Sequence, residues 1–174
     1  MLELLLAFHP PKIVPAGEGE AVGVPFHETE KLLGGAESAD GAVFYLFRVP
    51  PRSPGAPPHV HTQEDEWFYV VSGAVSVLNG EDVVALGQGG FAAMTRDHLH
   101  AFWNAGEEEA VLLVGASRGG FEQFFDAVAA GVAENPALTP PEVGAMVSKL
   151  AAERGITIRM DAVPDEARGL YGLE

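Results

Sequence analysis

The chain contains no cysteine, so no disulfide can staple it, and any metal it holds must be bound through nitrogen and oxygen. Basic residues are scarce: ten Lys and Arg stand against 25 Asp and Glu, a formal charge of -15. Such a surface repels phosphate backbones and anionic lipid, which argues against a nucleic-acid or membrane partner. Long apolar runs are missing too. The stretch Leu2-Glu3-Leu4-Leu5-Leu6-Ala7-Phe8 is far too short to span a bilayer and has no basic residues before it. It reads as a buried or swapped strand rather than a signal peptide, and the expected location is cytoplasmic. What the chain does have is apolar residues, 47% of 174, enough for one domain with a full core.

From Ala42 onward, short β-forming runs alternate with turns. They cover residues 42–49, 66–71, 74–78, 83–86, 91–94, 99–103 and 110–116, the pattern of an all-β sandwich or barrel of seven or eight strands. Asn79-Gly80 between two such runs predicts a type I′ hairpin. Residues 10–41, rich in Gly, Pro and Glu, read as loops with one or two edge strands, and residues 50–58 as a proline-rich loop. The pattern changes at Arg118. Phe121, Phe124, Phe125, Val128 and Val132 recur at helical spacing up to Asn135-Pro136. Thr139-Pro140-Pro141-Glu142 is a capping box for a second helix with Val143, Met146, Val147 and Leu150 on its apolar stripe and Gly155 as its stop. Residues 156–160 predict a last strand, and the end from Asp161 is expected to be loosely ordered. The expected organisation is an N-terminal extension with edge strands (1–41), a β-barrel (42–117) and a helical segment packed on it (118–174).

His59 and His61 alternate with Val60, so both imidazoles leave one face of a strand, a chelating arrangement. Glu66 opens the next strand and shares the parity of Phe68 and Val70. Its carboxylate is therefore held on an apolar face, where an unpaired charge is costly and a partner is required. His100, at the other end of the sheet region, is the choice for a third histidine. Glu64 and Asp65 read as a solvated turn. His98 shares the parity of His100 and is a candidate for the same cavity. Phe68, Val77, Met94 and Phe102 are candidates for its wall, with ordinary barrel filling as the competing reading. Arg48 and Arg96 are candidates for an anionic substrate group, against simple exposure, and His9 and His27 receive no role.

These residues resemble the two sequence motifs of the cupin superfamily, a small β-barrel fold. The first, G(x)5HxH(x)3–4E(x)6G, is met by His59, His61, Glu66 and Gly73, with Gly55 closer to His59 than usual. The second, G(x)5PxG(x)2H(x)3N, is met by Gly89, His100 and Asn104, with Thr95 in place of the proline and Asp97 in place of the glycine. Asp tolerates left-handed backbone better than most residues, so the turn can survive. The phrase HAFWN, then Gly120-Phe121-Glu122-Gln123-Phe124-Phe125 and a helix closing on Arg154-Gly155-Ile156, is similar to the single-domain quercetin 2,3-dioxygenase-like cupins. The likeness runs from about Ala42 to Ile158.

The resemblance implies a cupin double-stranded β-helix, or jelly-roll barrel, with two C-terminal α-helices. It implies one divalent first-row transition metal (Fe, Mn, Ni, Co, Cu or Zn) on His59, His61, Glu66 and His100, a mixed nitrogen and oxygen set suited to such ions. The expected activity is that of a dioxygenase acting on a small oxygen-chelating, flavonol- or enol-like substrate, with Glu66 as base for the substrate hydroxyl and dioxygen as co-substrate. Another metal-dependent activity, isomerase or hydrolase, and a non-catalytic ligand-binding barrel are the alternatives. Exposed strand edges and the apolar start suggest a homodimer.

Overall fold

The sequence of Val43–Val49, VFYLFRV, alternates strictly, and so does its burial. Val43, Tyr45, Phe47 and Val49 point into the core, while Phe44, Leu46 and Arg48 are half-buried on the other side. That is the period of a strand with one face on a core. The computed structural model describes residues 10–173; the stretch from Leu2 to Phe8 and His9 lie outside them. In order, the strands are β1 (Glu20–Ala21), β2 (Glu28–Leu33), β3 (Val43–Val49), β4 (Ser53–Pro54), β5 (His59–His61), β6 (Glu66–Ser72), β7 (Ala74–Asn79), β8 (Asp82–Gly87), β9 (Phe91–Met94), β10 (His100–Asn104) and β11 (Ala110–Ala116). Helices α1 (Phe121–Glu134) and α2 (Pro140–Ala152), strand β12 (Ile156–Ile158) and short 3-10 turns at Met160–Ala162 and Asp165–Tyr171 complete the chain.

The strands pair antiparallel in two sheets. One runs β1-β2-β3-β11-β6-β9, the other β12-β5-β10-β7-β8 with β4 also on β10. Their inner faces enclose one main core, with Tyr45, Phe68, Phe102, Leu112, Val70 and Val114 fully buried. Burying one such side chain is worth about 1.5–3 kcal/mol. The jelly-roll expectation and the two C-terminal helices both hold. Helix α1 lays Phe121, Phe124, Phe125 and Val128 on this core. Helix α2 starts on the expected capping box, Glu142 Oε2 accepting from the backbone N–H of Thr139 at 2.8 Å and from its hydroxyl at 2.6 Å.

Three expectations need correction. The hairpin turn falls one residue later than predicted: Asn79 stays in the ladder, opposite both Asp82 and His100, so Gly80-Glu81 makes the turn. Gly80 has φ 66° and Glu81 no positive φ, which excludes type I′, a turn that needs both. The proline-rich loop contains β4, paired with Trp103 and Asn104. The end of the chain is not loose. Val163 and Ala167 bury against Leu78, Ala101 and Trp103, and the Tyr171 hydroxyl donates to the carbonyls of Ala56 or Phe102 (3.0 and 3.2 Å). This cover explains why all five residues of β10 are buried. Among the described residues, no helix is long and apolar enough to cross a membrane.

Candidate metal centre

Strands β5 and β10 are neighbours with His59 paired to His100, so register alone brings two imidazoles side by side. His61 follows on the same face two residues along β5. Glu66 enters from β6, in the opposite sheet. All four residues are buried, and their ligand atoms lie within 4.8 Å of one another. Glu66 Oε2 sits 3.0 Å from His100 Nε2, 3.3 Å from His61 Nε2 and 3.6 Å from His59 Nε2, and the His59 and His61 Nε2 atoms are 3.0 Å apart.

The outward nitrogen of each ring is also engaged. His59 Nδ1 lies 2.7 Å from the Pro57 carbonyl, His100 Nδ1 lies 2.9 Å from the His98 carbonyl, and His61 Nδ1 lies 3.1 Å from Glu64 Oε2. A carbonyl or carboxylate only accepts, so Nδ1 carries the proton in each ring and Nε2 is the atom turned inward for a ligand. Three such nitrogens and one carboxylate oxygen fit a divalent first-row metal. The electrostatics follow from the crowding. Burial and the neighbouring His100 push His59 down to about 4. Burial would lower His61 as well, but its hydrogen bonds to Glu64 and Glu66 raise it to about 9. Burial also opposes ionisation of Glu66, and the three imidazoles, His100 foremost, nevertheless hold it well below the usual carboxylate range. A metal at His61 Nε2 takes the place of the proton there.

The turn between His61 and Glu66 is not a solvated one. Asp65 does face outward, bridging to Arg96 through both carboxylate oxygens. Glu64, however, is fully buried, with one oxygen on His61 Nδ1 and the other accepting from the backbone N–H of Gly120 at the start of α1. Its partner glycine lies 56 residues away, which is why local polarity misread it. At the other motif, Asp97 adopts φ 62°, the left-handed geometry expected of it, and its N–H donates to the His61 carbonyl at 2.7 Å.

A cavity of about 90 Å³ opens onto His59, His61 and Glu66. Its wall is largely aromatic, from Phe47, Phe102, Phe121, Phe124 and Phe125, and among the described residues no Lys or Arg lines it. Of the expected wall residues, Phe102 is there. Phe68, Val77 and Met94 are instead buried in the barrel core, as side chains that fill it. His98 is outside the cavity, with Nε2 2.7 Å from Asn79 Oδ1. Arg48 lies within ion-pair distance of Glu28, Glu30 and Glu109, so neither it nor Arg96 serves the cavity. His27, given no role by the sequence, lines the cavity, its ring 4.5 Å from Phe47 and its Nδ1 3.1 Å from the Thr29 hydroxyl. Burial pushes it down to about 4, so it is neutral at ordinary pH. The phenylalanines of α1, read as packing alone, are both packing and wall.

Comparison with known proteins agrees with this architecture. Residues 45–115 match the family model described as Cupin domain. Among solved structures, the chain is similar to the polyketide cyclase RemF from Streptomyces resistomycificus, at 26% identity and TM-score 0.52, over 62% of this chain and 80% of that one. KdgF from Halomonas aligns at 17% identity and TM-score 0.53, over 63% of this chain and 96% of that one. A predicted oxalate decarboxylase from Thermotoga maritima aligns at 20% identity and TM-score 0.49, over 52% of this chain and 79% of that one. No curated protein matches the chain significantly.

Proposed function

From the premise that this barrel is a cupin fold whose three histidines and one glutamate can hold a divalent metal, we propose a metal-dependent enzyme that oxidises a small, uncharged, oxygen-chelating enol or phenol, with dioxygen as co-substrate. The observation that carries this reading is the meeting of that ligand cluster with an aromatic cavity lined by no cationic side chain among the described residues. Beyond the reach of the ion, a further carboxylate or phosphate on the substrate would meet no cationic side chain among the lining residues, which disfavours it. A flat neutral molecule would instead bury its faces on the phenylalanine rings. The volume, about 90 Å³ against the roughly 150 Å³ of a cavity that holds benzene, favours a short enolisable chain or a ring only partly enclosed over a three-ring flavonol.

When bound, the metal supplies Lewis acidity that favours the deprotonated form of a chelating hydroxyl. Glu66 is assigned as the base that takes this proton because it is the carboxylate that lines the cavity beside the ligand histidines. The aromatic wall excludes water and holds the substrate plane, and neutral His27 offers the one further polar side chain among the residues that line the cavity, for a substrate hydroxyl.

A second reading, cyclisation without dioxygen, is favoured by the likeness to a polyketide cyclase. Polyketides carry 1,3-dicarbonyl units that enolise and chelate, the same chemistry the site suits. Reconstitution with each metal in turn, followed by oxygen-electrode assays on a panel of diketones and catechols, separates the two. Oxygen consumption coupled to substrate loss supports the dioxygenase. Turnover without uptake supports the cyclase or another non-oxidative enzyme, and neither with any metal overturns an enzymatic role.

A further inference from the structure

Glu64 is a buried carboxylate that the proposed chemistry does not use, and it joins two parts of the molecule that the sequence keeps far apart. One oxygen lies 3.1 Å from His61 Nδ1, on the side of the ring opposite the ligand atom. The other accepts from the N–H of Gly120, immediately before Phe121 begins α1. The fit is close: a Cβ on Gly119 would overlap the Glu64 side chain, so this approach requires glycine there. Helix α1 in turn carries Phe121, Phe124 and Phe125 of the cavity wall, and the Phe121 ring lies 5.7 Å from the His61 ring.

We infer that Glu64 is a positioning residue that couples occupancy of the metal centre to the anchoring of α1, and so to the shape of the substrate cavity. The inference rests on the metal-centre reading. An ion at His61 Nε2 would pin the ring in one orientation, with its Nδ1–H aimed at Glu64, and so fix the carboxylate. A fixed negative charge at the start of α1 stabilises the N–H of Gly120 at the N-cap and favours the N–H groups of the first turn that follows it. Loading the metal thereby organises the aromatic wall before substrate arrives, and a well-ordered wall in turn holds His61 in ligating orientation.

Glu64→Gln tests the link because an amide can satisfy only one side. If its NH2 group faces His61, it donates to Nδ1 and forces the ring proton onto Nε2, where the metal binds. If its oxygen faces His61, the NH2 group opposes the Gly120 N–H. Either way the two ends are uncoupled.

The experiment uses the full chain with Co(II) as probe. Co(II) is titrated into the metal-free protein by calorimetry and visible absorption, and backbone amide exchange is measured by mass spectrometry with and without it. In the wild type, loading slows exchange in residues 120–125 by tenfold or more. In Glu64→Gln this metal-dependent protection is lost. Affinity for Co(II) falls about 10- to 100-fold in the variant if the amide meets Nδ1. Co(II) uptake by the wild type with unchanged exchange in residues 120–125 overturns the coupling while leaving the metal centre intact, and so does a Glu64→Gln variant that keeps the full protection. Failure of the wild type to take up Co(II) overturns both. The wild-type comparison decides the question even if the variant does not fold.

Discussion

Asn104 ends β10, and its side chain makes three hydrogen bonds from a position with no solvent exposure. Nδ2 donates to the carbonyls of Val49 at 3.0 Å and Glu108 at 2.8 Å, and Oδ1 accepts from the Gly106 N–H at 2.9 Å. Together they close the turn into β11 and hold the far end of the strand that carries His100. Replacing Asn104 by Ala strips partners from two carbonyls and one amide. At about 1 kcal/mol net per bond, the loss is about 3 kcal/mol. Asn104→Asp is nearly isosteric and keeps the acceptor for Gly106, but it sets a buried charge against two carbonyl dipoles. It is therefore expected to cost at least as much as Ala at pH 7. The sign with pH is opposite to that of a stabilised carboxylate. This Asp has its folded pKa raised above its unfolded value near ~3.9, so the folded state binds the extra proton and the penalty shrinks as the pH falls toward that value. Urea unfolding at pH 7 and pH 4.5 measures both effects; with a slope of about 2 kcal/mol per molar, the Ala variant unfolds about 1.5 M earlier than the wild type. A cost below about 1 kcal/mol for Ala, or an Asp variant no worse than Ala at pH 7, would refute the reasoning.

The other predictions concern the centre and its cavity. A His59→Ala, His61→Ala double variant is expected to keep its far-ultraviolet circular dichroism and to retain no metal by elemental analysis; retained metal would remove these residues from the site. The metal-loaded wild type should bind a neutral 1,3-diketone such as acetylacetone at least tenfold tighter than a 1,3-diketone that carries a carboxylate away from its chelating oxygens, a difference of about 1.4 kcal/mol. Equal binding in calorimetry would mean that the cavity's lack of cationic side chains does not govern selection. His27 has a folded pKa of about 4, below its unfolded value near ~6.5, so the folded state resists its protonation. Stability should fall as the pH drops from about 6.5 toward 4, by at most about 1.4 kcal/mol per unit from this residue. His27→Phe should flatten that part of the profile, and an unchanged slope would count against a half-buried, neutral His27.

Much of the barrel was legible because alternation in β3 and β6 records which face meets the core. The His-Val-His triplet shows two rings on one side of a strand for the same reason, and Asp97 announces a left-handed turn. What failed has a common physical cause. Parity gives the face of a residue and not its depth, so Phe68, Val77 and Met94 point inward as expected yet fill the core beside the cavity instead of lining it. Glu64 looked like part of a polar turn because the N–H that satisfies it belongs to Gly120. The closing segment lacks a repeating pattern, and its order comes from two tertiary features, the outer face of β10 and the bonds of the Tyr171 hydroxyl. His27 gave no signal at all, since its role depends on how strand β2, which it precedes, lies against β3.

Three of the four ligands come from one sheet and Glu66 from the other, so a bound ion would rivet the two halves of the barrel through its centre. The unfolded chain has no such pocket, and the free energy of binding then adds to that of folding. At a free ion concentration a thousandfold above the dissociation constant, that is about 4 kcal/mol, a large share of the stability of an ordinary domain. Supply of the ion would then set how long each molecule survives as well as whether it works. A chain made in scarcity would still fold but without that margin, opening more often along the seam between its sheets and being cleared sooner, so loaded molecules would outlast empty ones.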